Sequence, residues 1–218
     1  MARLRLAMIA LIFALLIQPL HAGTETREFA ILVGGKEAGN CTMTITDSDD
    51  SKIFMKAVVK VKVPGIFFPY EYSAEIQEWW FKDRLTNAIA LSTENGKKTA
   101  VSAKAESDRI VVNVNGQARA VNPDVWTASY WKLADRRYHN KEVTVFEPDT
   151  GKDMVGKLEF VKAEKQKVGT QMDDCFHFRV TGIPIPIELW FDRHHRLVRQ
   201  EFTESGQRTI VQLMSRKN

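Results

Sequence analysis

The clearest pattern in the chain is a strict alternation between residues 53 and 63. Ile53, Met55, Ala57 and three valines occupy every second position, while lysines recur in the positions between them. A period of two with lysines on one side is typical of a β-strand that has one face in a core and the other in water. The segment therefore predicts a half-buried strand.

Similar strand patterns recur at short intervals, and the dipeptides Gly34-Gly35, Asn95-Gly96 and Asn115-Gly116 separate several of them. These dipeptides favour two-residue hairpin turns because Gly and Asn tolerate positive φ. The predicted strands are 28–33, 41–46, 53–63, 70–81, 85–93, 99–105, 110–114, 117–121, 142–146, 156–163, 175–180, 185–191, 196–203 and 209–214. So many short strands predict a mainly β protein, a long antiparallel meander that forms a strongly curved sheet, a closed barrel or two packed sheets.

One short helix is predicted to interrupt the strands, over residues 124–133. Asn122 and Pro123 supply a capping side chain and a first-turn proline, and Asp124 suits the positive end of a helix dipole. Trp126 and Tyr130 stand four residues apart, on one helical face. We expect this helix to plug one end or one side of the curved sheet, with its aromatic residues in the core.

The N-terminus has the order of a secretory signal peptide. Arg3 and Arg5 precede an apolar run over residues 6–17, and His21-Ala22 offers a small residue before a cut. The run is shorter than the roughly 20 residues that a membrane-spanning helix needs. We therefore expect residues 1–22 to be removed and the protein to be exported, to the periplasm or beyond, with no membrane span.

Composition and charge place the remaining chain among globular domains. The whole chain carries 31 basic and 27 acidic side chains, and two of the basic ones lie in the predicted signal peptide. A balance this close to neutral gives no field that would favour nucleic acid. Since no Pro-rich or Gly/Ser-rich linker divides residues 23–218, they predict a single β-rich domain.

One carboxylate stands out because it falls on an apolar face. In the strand phase of residues 70–81, Glu78 lies among the apolar and aromatic side chains. A carboxylate in such a place costs free energy unless it is paired or protonated, and such residues are enriched at functional sites. Glu78 is the one candidate catalytic residue. The alternative is that it lies at the strand end or pairs with an arginine across the sheet.

Aromatic residues placed on strands are the candidate ligand contacts: Tyr70, Tyr72, Trp79, Trp80 and Trp190. The His194-His195 pair is a poor metal site, because adjacent side chains of an extended chain point to opposite sides. His177, two residues from Cys175, lacks an orienting third group for nucleophilic chemistry. The sequence thus predicts neither a metal nor a cofactor.

Cys41 and Cys175 are the only cysteines, and an oxidising compartment makes an even pair a disulfide candidate. Their strand phases differ, since Cys41 faces the core with Met43, whereas Cys175 faces away if Phe176 and Phe178 face it. A disulfide needs converging side chains. The bonded and free alternatives are both open at this point.

Several segments together resemble a known class of protein. They are the early strand followed by Gly34-Gly35, the strand 70–81 with its Glu78-Trp79, the Glu94–Lys97 turn, and Leu189–Asp192 with Arg196–Glu201. The chain resembles uncharacterised exported bacterial β-proteins, grouped as domains of unknown function, that are similar in outline to the lipoprotein-localisation-factor sheet. The resemblance implies a curved antiparallel sheet around a helix, an apolar interior and a periplasmic location, with no catalytic residues to transfer.

Three functions are compatible with these features. The first is a non-catalytic envelope protein that binds an apolar or amphipathic ligand such as a lipid, because aromatic residues are abundant on the strands and the familiar catalytic motifs are absent from the sequence. The second is an envelope hydrolase or lyase that uses Glu78 as its acid or base. The third is a protein-interaction module that presents Trp79, Trp190 and an edge strand.

Overall fold

A computed structural model describes residues 23–48, 50–65 and 69–217. The predicted signal peptide lies outside the described residues. Within them no helix has the length and apolarity to cross a membrane. The strands are β1 (Gly23–Val33), β2 (Lys36–Ser48), β3 (Lys52–Val63), β4 (Tyr70–Phe81), β5 (Arg84–Glu94), β6 (Lys97–Ala105), β7 (Ile110–Val114), β8 (Gln117–Val121), β9 (Val125–Thr127), β10 (Lys141–Phe146), β11 (Asp153–Val168), β12 (Gln171–Thr181), β13 (Ile187–Asp192), β14 (Leu197–Glu204) and β15 (Gln207–Lys217).

All these strands form one sheet, whose centre joins the first and the last of them. β1 pairs antiparallel with β15, with Phe29 opposite Leu213. On each side of this pair the strands follow chain order outward, so that β8 and β9 are the two edges. Every neighbouring pair is antiparallel except β9 and β10, which are parallel. The mainly β class and the antiparallel meander are therefore confirmed.

A short connection forces this sheet to curl. β8 ends at Val121 and β9 begins at Val125, so residues 122–124 alone separate the two edges along the chain. Strands lie about 4.8 Å apart, so a flat sheet of this size would be roughly 65 Å wide. The connection spans about 15 Å at most. The sheet must bend until its edges approach each other, and the bend creates a concave interior.

The turn between β10 and β11 packs into that interior against β6 and β7. Gly151, at φ +72°, approaches so closely that a Cβ atom there would lie 2.4 Å from Cγ2 of Val114. Its carbonyl accepts a hydrogen bond from Arg119 on β8, and Arg119 also pairs with Asp153 at 2.6 Å. Side chains of β6, β7 and β8, at one edge of the sheet, thus hold the β10–β11 turn, which belongs to the strands near the other edge.

Alternation places one face of each long strand in this interior. On β1 to β4 the inward positions include Phe29, Met43, Met55 and Ile76, and all four side chains are buried. The three predicted hairpin turns are confirmed, with positive φ at both central residues of each: Gly34 and Gly35 (58° and 80°), Asn95 and Gly96 (48° and 83°), Asn115 and Gly116 (50° and 93°).

The helix predicted over residues 124–133 is wrong. Val125–Thr127 form strand β9, and the N–H of Ala128 continues the pairing with β10 by donating to the carbonyl of Phe146 at 2.7 Å. Tyr130 has a φ of +46°, which a right-handed helix does not allow. The Asn122 side chain does accept from the Asp124 N–H at 2.8 Å, but it closes a local turn. Among the described residues the helical structure is one 3₁₀ turn, Arg136–Tyr138.

Candidate site: a groove beside a buried carboxyl

Residues 125–139, which we call the inner segment, begin as the edge strand β9, and the buried part of the segment, up to Ala134, lies inside the curl of the sheet. Trp126, Tyr130 and Trp131 are at most 5% exposed. The rings of Trp126 and Tyr130 meet edge to face with centroids 4.7 Å apart. The indole N–H of Trp126 donates to the carbonyl of Lys132 at 2.9 Å, which closes the loop on itself. An extended segment and a loop therefore fill the space in which a helix was expected.

Glu78 on β4 points into this interior, where the inner segment covers it. Its side chain is 0% exposed. One carboxyl oxygen, Oε2, accepts hydrogen bonds from the indole N–H groups of Trp80 at 2.9 Å and Trp131 at 3.2 Å, and from the Thr127 hydroxyl at 3.0 Å. Its neighbours on β3 and β5 are Met55 and Ala88, so both parts of the alternative expectation, a strand-end position and an arginine partner, are wrong.

The pKa of Glu78 is raised, because burial penalises the ionised form more than the hydroxyl and indole donors stabilise it. The second carboxyl oxygen, Oε1, is buried and has no hydrogen-bond partner among the described residues. A proton on Oε1 removes the charge and leaves Oε2 free to accept all three hydrogen bonds. This arrangement favours a neutral carboxyl that acts as an acceptor for the inner segment.

A charged cluster lies on the other side of Trp131. Arg27 on β1 is 3% exposed, donates to the backbone carbonyl of Trp131 and pairs with Glu25 at 2.5 Å. Arg196 joins Glu25 at 3.2 Å and Asp192 at 2.9 Å. Burial alone would raise the pKa of Asp192, but hydrogen bonds from the Arg196 backbone and side chain hold it below its ordinary value. The cluster therefore stays ionised, and its arginines are occupied by its own carboxylates.

A groove of about 790 Å³ opens beside the inner segment. Its volume lies in the range of roughly 300–1,000 Å³ that is usual for small-molecule sites. Its walls come from five parts of the chain: the end of β4 with the start of β5, residues 123–124, the inner segment, β11 with β12, and the β13–β14 turn at residues 194–196. Because each part has a different place in the sequence, the groove exists only once the sheet has curled.

Aromatic side chains form much of the groove surface. Trp80 and Trp131 meet edge to face at 6.0 Å between ring centroids. On β11 and β12, Phe178 packs edge to face on Phe160 at 5.5 Å. Phe160 and Phe176 line the groove and are 47% and 37% exposed. Large apolar side chains that stay open to solvent beside a cavity are typical of binding surfaces.

Cationic side chains surround this aromatic surface. Arg84 and Arg137 share the single carboxylate of Asp124, each at 3.5 Å. Lys132 pairs with Asp83. Arg136 is exposed and has no carboxylate within ion-pair distance among the described residues. The groove therefore has three guanidinium groups, those of Arg84, Arg136 and Arg137, that pair weakly or not at all with nearby carboxylates.

The predicted ligand contacts are not brought together. Trp80 lines the groove, but Tyr70 does not, and the Tyr72 hydroxyl donates to Asp149 in the β10–β11 turn. Trp79 lies on the opposite face of β4, where its ring packs on Phe54 with centroids 5.1 Å apart. Adjacent residues of a strand point to opposite faces, so Trp79 and Trp80 cannot share one site.

Trp190 belongs to a separate cluster with His177 on the other face of β12 and β13. The two rings stack at 4.2 Å, and Trp190 donates its indole N–H to Glu164 at 2.6 Å. His177 contacts Glu188 at 2.6 Å. Trp190 is 7% exposed, so it does not offer the surface that an interaction module needs.

Cys41 and Cys175 are both buried free thiols. Cys41 lies opposite Phe29 on β1, whereas Cys175 lies opposite Asp192 on β13. Their strands, β2 and β12, are separated in the sheet by β1, β15, β14 and β13. Four strands therefore separate the two thiols within the sheet, and the structure has the free alternative.

The described residues contain no cluster of three or more His, Cys, Asp or Glu side chains that could hold a metal ion. Glu78 does not line the groove, because Trp80 and Trp131 stand there instead. A general acid or base must come within about 3 Å of the proton that it transfers. In this geometry Glu78 holds the side chains of Trp80 and Trp131, which line the groove, and lies too deep to contact a molecule bound there.

The sequence signals missed most of the groove. Arg84, Arg136, Arg137 and Trp131 were not among the predicted site residues, and Trp126 was assigned to the core. A signal that could have found them is the density of aromatic and basic residues in the short stretch 126–139, where the predicted helix accounted only for Trp126 and Tyr130.

Comparison with known proteins supports the fold and names no activity. Residues 29–214 match the sequence model of a family described as a domain of unknown function, DUF6134. No curated protein matches the sequence. The crystal structure of a beta-barrel-like protein of domain of unknown function DUF1849 from Brucella abortus is similar, with a TM-score of 0.67 at 9% identity, over 89% of this chain and 97% of that chain. The resemblance to uncharacterised β-proteins and the barrel-like curvature are thereby confirmed.

Proposed function

Since the chain belongs to the DUF6134 family, whose description states no activity, we propose its function from the groove: it binds an apolar or amphipathic ligand and does not transform it. One observation carries the proposal, a groove of about 790 Å³ whose wall includes the partly exposed rings of Phe160 and Phe176. Exposed rings of this kind lose contact with water when a ligand covers them. Full burial of such a side chain contributes roughly 1.5–3 kcal/mol, and covering rings that are already about half buried contributes a part of that.

The N-terminal sequence pattern extends the proposal to the cell envelope. An exported protein with an aromatic groove suits a ligand that is itself found at membranes, such as a lipid or a lipid-linked precursor. The alternative of a hydrolase or lyase based on Glu78 is not favoured by a carboxyl that is fully buried and committed to Trp80, Thr127 and Trp131.

The first experiment is native mass spectrometry of protein purified from its own envelope, followed by solvent extraction. We expect a reproducible bound mass that extraction removes. Protein that is always empty contradicts the proposal, provided that it also fails to bind the neutral fluorescent probe N-phenylnaphthylamine.

Single substitutions then locate the site. Phe176→Ser in the groove should weaken binding of the probe, while Leu91→Ser should not. Leu91 is 64% exposed on β5 and does not line the groove, so it is a matched loss of one exposed apolar side chain. Equal binding of the probe by the two variants would indicate that the probe binds outside the groove.

A further inference from the structure

The charges around the groove indicate what kind of ligand it takes. Five cationic and three carboxylate side chains line it, so its surface has an excess of positive charge: Arg84, Lys132, Arg136, Arg137 and Arg196, with Asp83, Asp124 and Asp135. Arg196 is engaged by Asp192 and Glu25, and Lys132 by Asp83. The cations that remain for a ligand are Arg84, Arg136 and Arg137.

The distances show how weakly Asp124 engages two of these arginines. Arg84 and Arg137 each lie 3.5 Å from the same oxygen of Asp124, and their side chains are 55% and 54% exposed. Elsewhere in the protein an arginine with its own carboxylate forms a much shorter pair, as in the 2.6 Å contact of Arg119 with Asp153. One carboxylate cannot match two guanidinium groups in the two-bond geometry that each prefers.

The cationic and aromatic parts of the groove come from different elements. The arginines lie at the start of β5 and in the 3₁₀ turn, whereas Phe160 and Phe176 belong to β11 and β12. A molecule that fills the groove therefore meets an apolar surface and a cationic surface together. That combination suits a ligand with an apolar chain and an anionic end.

We propose that the groove binds an anionic amphiphile, with a carboxylate or phosphate headgroup held by Arg84, Arg136 and Arg137 and the apolar chain against the aromatic wall. This inference rests on the proposed function. It adds the charge of the ligand, and it assigns the three arginines as the residues that select it. Guanidinium groups bind carboxylate and phosphate in the same way, so the shared chemistry is an oxyanion.

The test compares four probes with twelve carbon atoms in one linear chain, the charged ones below their micelle concentrations and the alcohol below its solubility limit: dodecanoate, dodecyl phosphate, dodecanol and dodecylammonium. Displacement of N-phenylnaphthylamine from the full chain reports each affinity. We expect the two anions to bind about tenfold more tightly than the alcohol, because partly exposed charge contacts contribute a few-fold each. The preference should shrink as salt is added, since salt screens exposed charges. The anion with the higher affinity indicates whether the headgroup of the natural ligand is a carboxylate or a phosphate.

The double variant Arg84→Gln and Arg137→Gln should remove this preference and leave dodecanol binding unchanged. The matched control is the double variant Arg109→Gln and Arg208→Gln, because these side chains are 52% and 58% exposed, each pairs with a carboxylate, and neither lines the groove. If dodecanol binds as well as the anions, or if dodecylammonium binds best, the charge assignment is wrong and the proposed function stands. If N-phenylnaphthylamine binds but none of the four probes displaces it, the amphiphile assignment is wrong and the proposed function stands. If N-phenylnaphthylamine does not bind either, the proposed function itself is wrong.

Discussion

Replacement of Glu78 tests the interior of the protein most directly. In Glu78→Ala, the indole N–H groups of Trp80 and Trp131 lose their shared acceptor, and both are buried. The Thr127 hydroxyl keeps a partner in Ser129, 2.8 Å away. Two orphaned buried donors cost about 1–3 kcal/mol each. We therefore expect a loss of roughly 2–6 kcal/mol, which is a large part of the 5–15 kcal/mol that holds a typical domain folded.

Glu78→Gln separates the loss of charge from the loss of the acceptor. The amide oxygen can take the place of Oε2, so the three donors stay satisfied, and the amide nitrogen takes the place of the unpartnered Oε1. Glutamine has nearly the shape of a neutral carboxyl. At acidic pH, where Glu78 is protonated in both the folded and the unfolded chain, the variant should be less stable by about 1–3 kcal/mol, because the amide has one more unpartnered buried donor than the carboxyl.

The stability difference between Glu78→Gln and the wild-type protein should change as the pH rises. The pKa of Glu78 is raised in the folded protein, so its stabilising contribution is fully present below the unfolded pKa of about 4.3 and is lost as the pH rises through the folded value. Glutamine has no such dependence. Each unit by which the pKa is raised corresponds to about 1.4 kcal/mol. The variant should thus gain stability relative to the wild-type protein as the pH rises above about 4.

The assay is urea unfolding followed by tryptophan fluorescence at a series of pH values. Glu71→Gln is the control, since Glu71 lies on the same strand in an exposed position and loses the same charge. The stability difference between Glu71→Gln and wild type should not follow the Glu78 curve. A difference between Glu78→Gln and wild type that stays flat with pH, or that favours wild type as the pH rises, would refute a neutral carboxyl in the folded protein.

Two further predictions concern the thiols and the closing turn. Burial raises the pKa of Cys41 and of Cys175 to about 12, so iodoacetamide at neutral pH should label neither thiol in the folded protein. After denaturation without a reducing agent, it should label both. A disulfide between them would leave both unlabelled in that experiment. Gly151→Ala places a Cβ against Val114 at a positive φ and should lower the free energy of unfolding in urea by about 2–4 kcal/mol. Gly96→Ala is the control, because Gly96 also has a positive φ but has open space around it, and it should lower the free energy of unfolding by about 1 kcal/mol. Equal losses in the two variants would contradict the packing of the turn against Val114.

The sequence predicted what depends on neighbouring residues. Strand phase placed Glu78 on the apolar face of β4, and the Asn-Gly and Gly-Gly dipeptides marked turns whose φ values are positive. Both follow from contacts within a few positions of the chain. The pairing of β1 with β15 joins the two ends of the described chain, and no local pattern specifies it.

The inner segment shows how non-local contacts override a local signal. Asn122-Pro123-Asp124 has the residues of a helix start, and the same residues form a turn into a strand. The choice between them is made by the pairing of β9 with β10 and by the bond from Thr127 to Glu78, 49 positions earlier in the chain. The groove residues were missed for the same reason, since Arg84, Arg137 and Phe176 meet only after the sheet curls.

The position of Trp131 explains why a costly buried carboxyl and a buried arginine can coexist in this interior. Its indole N–H donates to Glu78 on β4, and its backbone carbonyl accepts from Arg27 on β1. A single residue of the inner segment is therefore fixed from two sides of the curled sheet, and the same residue lines the groove. Buried polar groups of this kind contribute little net stability, but they allow few alternative positions for the groups they bond. A groove wall fixed in this way is formed before any ligand arrives, so less of the binding free energy is lost in ordering it.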